Sequence, residues 1–483
     1  MKNNSKSVSG NKIALAAVFT TAGVVYCLIS LVNHYLFKTY ALDLGLYTHF
    51  MYEYAHFRRA DLFMLDMAPQ SALSAHFDLY LIILSPLVYV FGTYTLLIVQ
   101  IAAVLLGGWG IYKLIGLYTD DDWLPILATA TLFFSFGVIH PFAFDYHSNV
   151  LTAMMLPWLL YFIKKQRFWQ SSLMVVLFVL GKENLSLWLF FIAIGLMWDY
   201  RKDHKTLWYL LAFALFGLAY FLIINMIVMP KIGGEGISRY HHLGNNYAEI
   251  ALQLITHPGE AIRLLFANTS GFEHYDGVKE EFFICALATG LLFTILKPNY
   301  FLMLIPLIGQ KMLSSYHLFW GVSLQYSVEF MPVLVVSSFL VIIKLKHKVL
   351  RMVLAVALLF STLLTTFYTI GVPKGFVMVD QICIYQGRHY EQKQFDVRFA
   401  RELIQQVPDD ASVCAATMFV PHLCLRPEIY DFQSVARHVD AEYVLVTDFY
   451  FAYKSLEELT AQGYEVMKTD GNLYLLHKKN HTP

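Results

Sequence analysis

The chain has 483 residues, of which 57% are apolar, 16% aromatic and only 14% charged, with 35 basic and 35 acidic side chains. A soluble domain carries about 25% charged residues, so this chain cannot cover a water-facing surface of its size, and most of it is predicted to lie in lipid. The zero net charge also removes the overall positive field with which proteins attract nucleic acid, so a nucleic-acid partner is not expected.

The first apolar stretch, Ile13 to Leu36, follows the basic residues Lys2, Lys6 and Lys12. It is longer than the apolar core of a signal peptide, which has about 7–15 residues, and no small-residue cleavage site follows it. The sequence therefore predicts a retained membrane helix whose N-terminus is cytoplasmic.

Eleven further apolar runs follow along the chain, and basic loops at 164–167, 201–205 and 344–348 mark the cytoplasmic side. With these loops inside, the run 79–93 cannot be a crossing, and it is predicted to lie along the outer interface. About eleven transmembrane helices result, counting the hairpin 168–198 as two. The runs are 79–93, 94–117, 123–140, 148–163, 168–181, 184–198, 207–229, 282–296, 299–317, 328–343 and 349–371.

After Ile370 the proportions of charged and apolar residues become those of a soluble protein. Helical spacing alternates there with short runs rich in β-branched residues, which favours a small α/β domain outside the cytoplasm. The predicted domains are a transmembrane domain over 1–371 and an extracytoplasmic domain over 372–483. The predicted helices are Phe395–Gln406 and 454–463, and the predicted strands are Ser412–Ala416, Tyr443–Thr447 and Leu473–Leu476.

Polar residues gather at three predicted outer turns. The first external loop contains Asp43 and the sequence His76-Phe77-Asp78, the second turn contains Phe144-Asp145-Tyr146-His147, and the third contains Lys182-Glu183. A carboxylate at an outer cleft can act as general base on a sugar hydroxyl, and a lysine can pair with a lipid phosphate.

Structural roles compete with these functional ones. Asp43 could be a helix cap or a salt-bridge partner, and Lys182 with Glu183 could be a buried ion pair that braces the hairpin. His76 and His147 could bind a divalent metal with the nearby aspartates, although lone histidines beside aromatic residues are more often structural.

The order and spacing of these motifs resemble those of the bacterial membrane proteins grouped as domain-of-unknown-function family 2079. The resemblance covers roughly residues 40 to 345. The motifs are Asp43-Leu44-Gly45, His76-Phe77-Asp78, Phe144-Asp145-Tyr146-His147, Gly181-Lys182-Glu183-Asn184, Tyr240-His241-His242-Leu243-Gly244, His257-Pro258, Ile305-Pro306 and Gln325-Tyr326-Ser327.

That family is similar to the GT-C glycosyltransferases, which include protein mannosyltransferases and lipid A aminoarabinose transferases. The resemblance implies a GT-C-like polytopic helical fold with interface-lying helices in the first external loop. It also implies a polyprenyl-phosphate sugar donor and a location in the bacterial inner membrane. By position it gives catalytic roles to Asp43 and Asp145. Substrate-binding roles fall to His76, Asp78, His147, Lys182, Glu183, Tyr240 and Tyr326.

One feature departs from the GT-C pattern. Some GT-C enzymes carry paired acidic residues in the first loop, whereas Asp43 is flanked by Leu42 and Leu44. A metal-binding pair is therefore absent from this motif, and no metal or other cofactor is assigned.

The sequence leaves three function classes open. The first is transfer of a sugar from the lipid-linked donor to an extracytoplasmic lipid, glycan or protein. The second is a transporter or flippase of a lipid-linked sugar, which would favour internal repeats and a polar pathway at the membrane midplane. The third is an assembly protein whose external domain binds partners.

Overall fold

In the computed structural model of the protein, residues 2–65, 70–371, 373–435 and 440–479 are described, with side chains from residue 10 onward. The chain forms two compact units, each discontinuous in sequence. The helical unit comprises Met1–Tyr26 and Gln100–Ile382, and the mixed unit comprises Cys27–Val99 and Cys383–Pro483. The domain division between 371 and 372 stays a prediction, and residue 372 lies outside the described residues.

The helical unit contains apolar helices at the predicted runs, together with helices such as Tyr247–Thr256 and Pro258–Leu264 that lie outside them. A wider turn at Ile224–Val228 joins two of these helices, and a kink at Leu287–Leu291, where Gly290 has φ 125°, joins two others. The helices, the first two of which also extend into the mixed unit, are Lys2–Tyr35, Thr95–Ile115, Trp123–Phe133, Phe136–Ala143, Ser148–Lys164, Phe168–Val179, Leu185–Asp199, His204–Ile223, Met229–Lys231, Tyr247–Thr256, Pro258–Leu264, Val278–Ala286, Leu292–Ile295, Pro298–Met312, Phe330–Ile343, Lys348–Gly371 and Val379–Ile382.

Several of these helices are long and apolar enough to cross a membrane. Among the described residues, four helices meet this condition by length and composition, and a fifth does so if a bent pair of helices is counted as one span. Other apolar helices have only 12–15 residues, fewer than the roughly 20 that span a bilayer. The count of eleven crossings therefore stays a prediction. The four are Gly10–Tyr35, Tyr80–Ile115, His204–Lys231 and Lys348–Gly371.

The bent pair, Trp123–Phe133 and Phe136–Ala143, turns by 40° at its break. Backbone carbonyls released by the break accept bonds from side chains: Tyr26 donates to Phe133, and Thr366 donates to Phe134. Such partners allow a break in a membrane helix, where water cannot satisfy the backbone.

The mixed unit contains the first loop and the predicted α/β domain. Its five-stranded sheet has the order β2-β1-β3-β5-β4, in which β1 pairs with β2 and β3 in parallel and β5 pairs with β3 and β4 in antiparallel fashion. The predicted α/β character is confirmed, while β2 and β4 were not predicted. The strands are β1 Val413–Ala415, β2 Ile429–Asp431, β3 Tyr443–Thr447, β4 Tyr464–Thr469 and β5 Leu473–Lys478.

Short helices surround this sheet and build the first loop. The run 79–93 forms two short helices that end at Gly92, where φ is +56°. Tyr89 bonds the carbonyl of Ala55, so this segment packs on the helix Leu46–Ala55, and its interfacial position stays a prediction. The helices of the mixed unit are Leu46–Ala55, Ala72–Ala75, Tyr80–Leu84, Val88–Phe91, Val397–Gln405, Val420–Leu423, Phe432–Val435 and Leu456–Ala461.

The first loop packs against the carboxyl ends of the parallel strands within the mixed unit. Just beyond β1, the hydroxyl of Thr417 accepts a hydrogen bond from the backbone N–H of Ala41 at 3.0 Å. At the end of β2, the N–H of Asp431 donates to the carbonyl of Met64 at 2.9 Å. In open α/β sheets this edge is where ligands commonly bind; here it carries the loop that contains Asp43.

Candidate functional site

Asp43 lies in a distorted turn, Ala41–Gly45, that precedes the helix Leu46–Ala55. Its backbone angles are φ 66° and ψ −87°, near a γ-turn conformation that is rare and strained for a residue with a side chain. Such strain costs about 1–3 kcal/mol and tends to cluster at functional sites. Asp43 is half-buried.

Contacts with the C-terminal segment hold this turn in place. The rings of His34 and His422 stack with centroids 4.1 Å apart and planes 9° apart. Lys38 donates through Nζ to the carbonyls of Arg388 and His389, at 3.0 and 2.7 Å. The Ala41 bond to Thr417 adds a third attachment, so the chain is anchored at three points directly before Asp43.

His49, on the helix that follows the turn, makes a similar contact. Burial lowers its pKa to about 4, which leaves the ring neutral near pH 7. Its Nδ1 lies 3.1 Å from the carbonyl of Cys424, so the proton of the neutral ring resides on Nδ1. Cys424 and Cys414 are both free, buried thiols and are not bonded to each other.

His76 and Asp78 lie together at a small cavity in the mixed unit. The cavity has a volume of about 10 Å³ and is lined also by Tyr47 and Tyr54, so it has room for about one water molecule. Asp78 is buried, and its Oδ1 accepts a hydrogen bond from the N–H of Tyr80 at 3.0 Å. This pair is therefore placed near the helix that follows Asp43, and Asp78 also stabilises the start of the next helix.

Asp145 and His147 form a buried turn in the helical unit. Asp145 has φ 58°, a left-handed conformation that Asp tolerates better than most residues. The amide of Gln100 fixes this turn from both sides: Nε2 donates to the carbonyl of Asp145, and Oε1 accepts from the N–H of His147, each at 2.9 Å. The His147 ring stacks on Phe144, and its Nε2 lies 2.7 Å from the Phe144 carbonyl.

Asn149 links this turn to a buried carboxylate that the sequence analysis missed. Its Nδ2 donates to Glu329 Oε1 at 2.8 Å and to the carbonyl of Gln325 at 3.2 Å. Glu329 is only 8% exposed, and the charges of Lys182 and Lys311 both act on it. The signal in the sequence was a single acidic residue within the predicted apolar run 328–343, where an unpaired charge would be costly.

Lys182 and Glu183 act on different neighbours. Lys182 acts on Glu329, whereas the charge of Glu183 acts on the hydroxyls of Tyr220 and Tyr247.

The segment that carries Tyr326 is held by a buried lysine. Lys311 Nζ donates to the carbonyls of Phe319, Gly321 and Tyr326, at 2.6, 2.7 and 3.2 Å, and to Ser327 Oγ at 3.3 Å. This lysine has a structural role, because its hydrogen-bonding capacity is used on the chain itself. Tyr326 is left half-buried, with its ring against Phe319.

Tyr240 also has a structural partner. Its hydroxyl donates to the carbonyl of Gln310 at 2.7 Å and so ties the segment between Lys231 and Tyr247 to the helix Pro298–Met312.

The predicted site residues divide between the two units. The mixed unit contains Asp43, His76 and Asp78, and the helical unit contains Asp145, His147, Lys182, Glu183, Tyr240 and Tyr326. Within the described residues, no group of three or more His, Cys, Asp or Glu side chains is arranged to hold a metal ion.

Comparison with protein families gives one assignment over most of the chain. Residues 33–470 match the family described as predicted membrane protein (DUF2079). The chain belongs to this family. Among curated proteins, no match is found.

Solved structures show the fold of this DUF2079 protein. ArnT from Cupriavidus metallidurans bound to undecaprenyl phosphate is 10% identical, covers 98% of this chain and 99% of its own, and superimposes with a TM-score of 0.50. The apo state of the same ArnT is 11% identical, covers 97% of this chain and 98% of its own, and has a TM-score of 0.49. The likeness to the first structure confirms the predicted GT-C-like fold, with a membrane-embedded helical part and a small C-terminal sheet.

Proposed function

We propose that this DUF2079 protein is a membrane glycosyltransferase that moves a sugar from a polyprenyl-phosphate donor to an extracytoplasmic lipid, glycan or protein. The observation that carries the proposal is the strained, half-buried Asp43 in the first loop of a chain with a GT-C-like fold. The undecaprenyl phosphate bound to the ArnT structure supports a polyprenyl-phosphate partner.

In this mechanism Asp43 is the general base. An acceptor hydroxyl attacks the anomeric carbon of the sugar while the Asp43 carboxylate takes the hydroxyl proton. The bond between the anomeric carbon and the phosphate oxygen breaks, and the polyprenyl phosphate leaves with the bonding electrons. The half-buried position supports this role, because a carboxylate that is fully hydrated is a weaker base.

Asp145 and Lys182 have supporting roles in the proposal. Asp145, fixed by Gln100, orients the sugar, and Lys182 meets the donor phosphate as a counter-charge. Substrate-binding roles for His76, Asp78, His147, Glu183, Tyr240 and Tyr326 remain part of the proposal. Because Asp78 and Tyr240 already bond the backbone, we expect them to act mainly by shaping the site.

We also propose that the protein lies in the bacterial inner membrane with its N-terminus in the cytoplasm and its C-terminal sheet outside. The basic loops at 164–167, 201–205 and 344–348 support this orientation. A reporter that is active only after export is expected to be active when it is fused after Lys479. Activity of a reporter that works only in the cytoplasm, fused at the same position, would overturn the orientation.

The test of function uses the purified full-length protein with undecaprenyl-phosphate-linked hexoses and pentoses that carry a labelled sugar. Incubation with a cell-envelope extract is expected to move label to an acceptor and to release undecaprenyl phosphate from one donor. Asp43→Asn is expected to lower transfer by about 10²–10⁴-fold, the usual contribution of a general base, while undecaprenyl phosphate still binds. Full transfer by Asp43→Asn would remove the base assignment, and no transfer from any donor would contradict the proposed reaction.

A further inference from the structure

A cavity of about 370 Å³ lies in the helical unit between the helix Val278–Ala286 and the helix Lys348–Gly371. Its wall is polar at one end and apolar at the other. The polar end has Glu280, Glu281, Tyr368 and Lys374, and the apolar end includes Ile284, Ala288 and Leu364.

The change from polar to apolar follows the helix axes. The polar groups lie at the start of one helix and at the end of the other, and the apolar groups lie one to two turns farther in. From Glu281 to Ala288 the helical rise is roughly 10 Å. A phospholipid at a membrane surface has the same arrangement, with the headgroup outermost and the acyl chain directed inward.

Glu281 supplies an unsatisfied acceptor at the polar end. Its Oε1 accepts from the Tyr368 hydroxyl at 2.9 Å and from the Lys374 backbone N–H at 2.8 Å. Its Oε2 is buried and has no hydrogen-bond partner among the described residues. Glu281 is only 4% exposed, so the lone oxygen carries a desolvation cost that a ligand donor would remove.

The charges at this end select the kind of donor. This end of the cavity is lined by two carboxylates, those of Glu280 and Glu281, and by one ammonium, that of Lys374. Gly277 has φ +76° and no side chain, which lets the Lys374 side chain cross beside it. A headgroup with its own ammonium and phosphate complements this set, with the ammonium at Glu281 and the phosphate at Lys374.

We propose that this cavity binds one zwitterionic, amine-bearing phospholipid, whose ammonium bonds Glu281, whose phosphate pairs with Lys374 and whose acyl chain lies along Ile284, Ala288 and Leu364. The site is independent of the proposed sugar transfer. It joins the outer ends of two helices through one lipid molecule.

The test counts lipids retained by the delipidated full-length protein in native mass spectrometry, with phosphatidylethanolamine and phosphatidylglycerol added in equal amounts. The wild-type protein is expected to retain one phosphatidylethanolamine at least about tenfold more tightly than phosphatidylglycerol, as for a charge-assisted hydrogen bond. Glu281→Gln is expected to lose this preference, because the amide cannot pair with the ammonium.

A cavity-filling variant separates the site from general lipid binding. Ala288→Phe fills the apolar end and is expected to remove the retained lipid. Val356→Phe adds a phenyl ring on a residue that is 48% exposed on the helix Lys348–Gly371 and does not line the cavity, so it is expected to bind as the wild type does.

Three results would overturn the proposal. They are equal retention of phosphatidylglycerol, unchanged retention by Ala288→Phe, and displacement of the lipid by undecaprenyl phosphate, which would make the cavity a donor site. Circular dichroism of Ala288→Phe and Glu281→Gln checks that each variant is folded.

Discussion

Gly45, two residues beyond Asp43, lies directly against Val420 of the C-terminal segment: a Cβ atom on Gly45 would lie 3.0 Å from Val420 Cγ1 and 3.5 Å from the Pro421 nitrogen. A segment that is distant in sequence therefore fixes the position of the turn Ala41–Gly45, which contains Asp43. The helix Val420–Leu423 of the C-terminal segment is in this way part of the structure that holds Asp43.

The first prediction tests this packing. Gly45→Val adds three carbon atoms where there is no space, and it is expected to lower the free energy of unfolding by about 1–3 kcal/mol and to weaken transfer. Val420→Ala removes the closest methyl group, so Gly45→Val in the Val420→Ala background is expected to cost clearly less. The thermal unfolding of the four proteins gives the coupling energy, and strictly additive effects would contradict the contact.

This contact shows what the sequence could and could not predict. The apolar runs predicted the helices well, because a lipid-exposed stretch needs only local composition. The sequence did not predict that residues 27–99 and 383–483 form one compact unit. The reason is that a contact between distant segments, such as that of His34 with His422, does not affect the pattern of residues in either segment.

Other omissions have local physical reasons. The strand β2 has only three residues, too few for an alternating pattern, and most of the side chains of β4 are exposed, so its sequence is polar. Glu329 was passed over because it is a single charge in an otherwise apolar context. The roles of Asp145 and Lys311 also depend on partners that only the fold brings near.

The second prediction concerns Gln100, which fixes the turn of Asp145 and His147. Gln100→Met keeps the volume but leaves a buried carbonyl and a buried N–H without their partners, each of which costs about 1–3 kcal/mol. We expect a lower melting temperature and reduced transfer. Gln406→Met, at an exposed position, is the matched control and is expected to change neither. A Gln100→Met protein as stable and active as the control would contradict the role of the clamp.

The third prediction separates two buried or half-buried lysines. Lys311→Met removes the donor of four hydrogen bonds, and it is expected to prevent accumulation of folded protein in the membrane. Lys182→Met is expected to leave the protein folded and to weaken binding of undecaprenyl phosphate, because Lys182 is proposed to meet the phosphate.

Size-exclusion chromatography and a binding assay with labelled undecaprenyl phosphate measure the two effects. If Lys182→Met is lost from the membrane as Lys311→Met is, Lys182 is a structural brace. Normal donor affinity in a folded Lys182→Met protein would remove the phosphate role.

The fourth prediction is a pH dependence that originates at His49. Its folded pKa of about 4 lies below the ordinary value of 6.5, so the unfolded chain binds more protons between these values. The contribution of His49 to the free energy of unfolding is fully present above pH 6.5. As the pH falls toward 4, this contribution is lost, and the free energy of unfolding decreases by about 3 kcal/mol in total. His49→Gln cannot titrate and is expected to flatten this part of the stability curve, as measured by chemical unfolding at pH 7, 5.5 and 4.5. An unchanged slope in the variant would assign the pH dependence to another group.

The last prediction concerns the backbone strain at Asp43. At φ 66° and ψ −87° a Cβ atom is unfavourable, whereas glycine adopts this region readily. Asp43→Gly and Asp43→Ala both remove the carboxylate with its contacts, so the difference between them isolates the backbone. We expect Asp43→Gly to be more stable than Asp43→Ala by about 1–2 kcal/mol, with both inactive in sugar transfer.

Leu42 has ordinary angles, φ −64° and ψ 140°. The Leu42→Gly and Leu42→Ala pair is therefore expected to show the opposite order, because glycine gains entropy in the unfolded chain. If Gly and Ala at position 43 were equally stable, the turn would relax without cost and Asp43 would not be held under strain. If either variant still transferred sugar, the strain would be unrelated to catalysis, and the search for the base would move to Asp145.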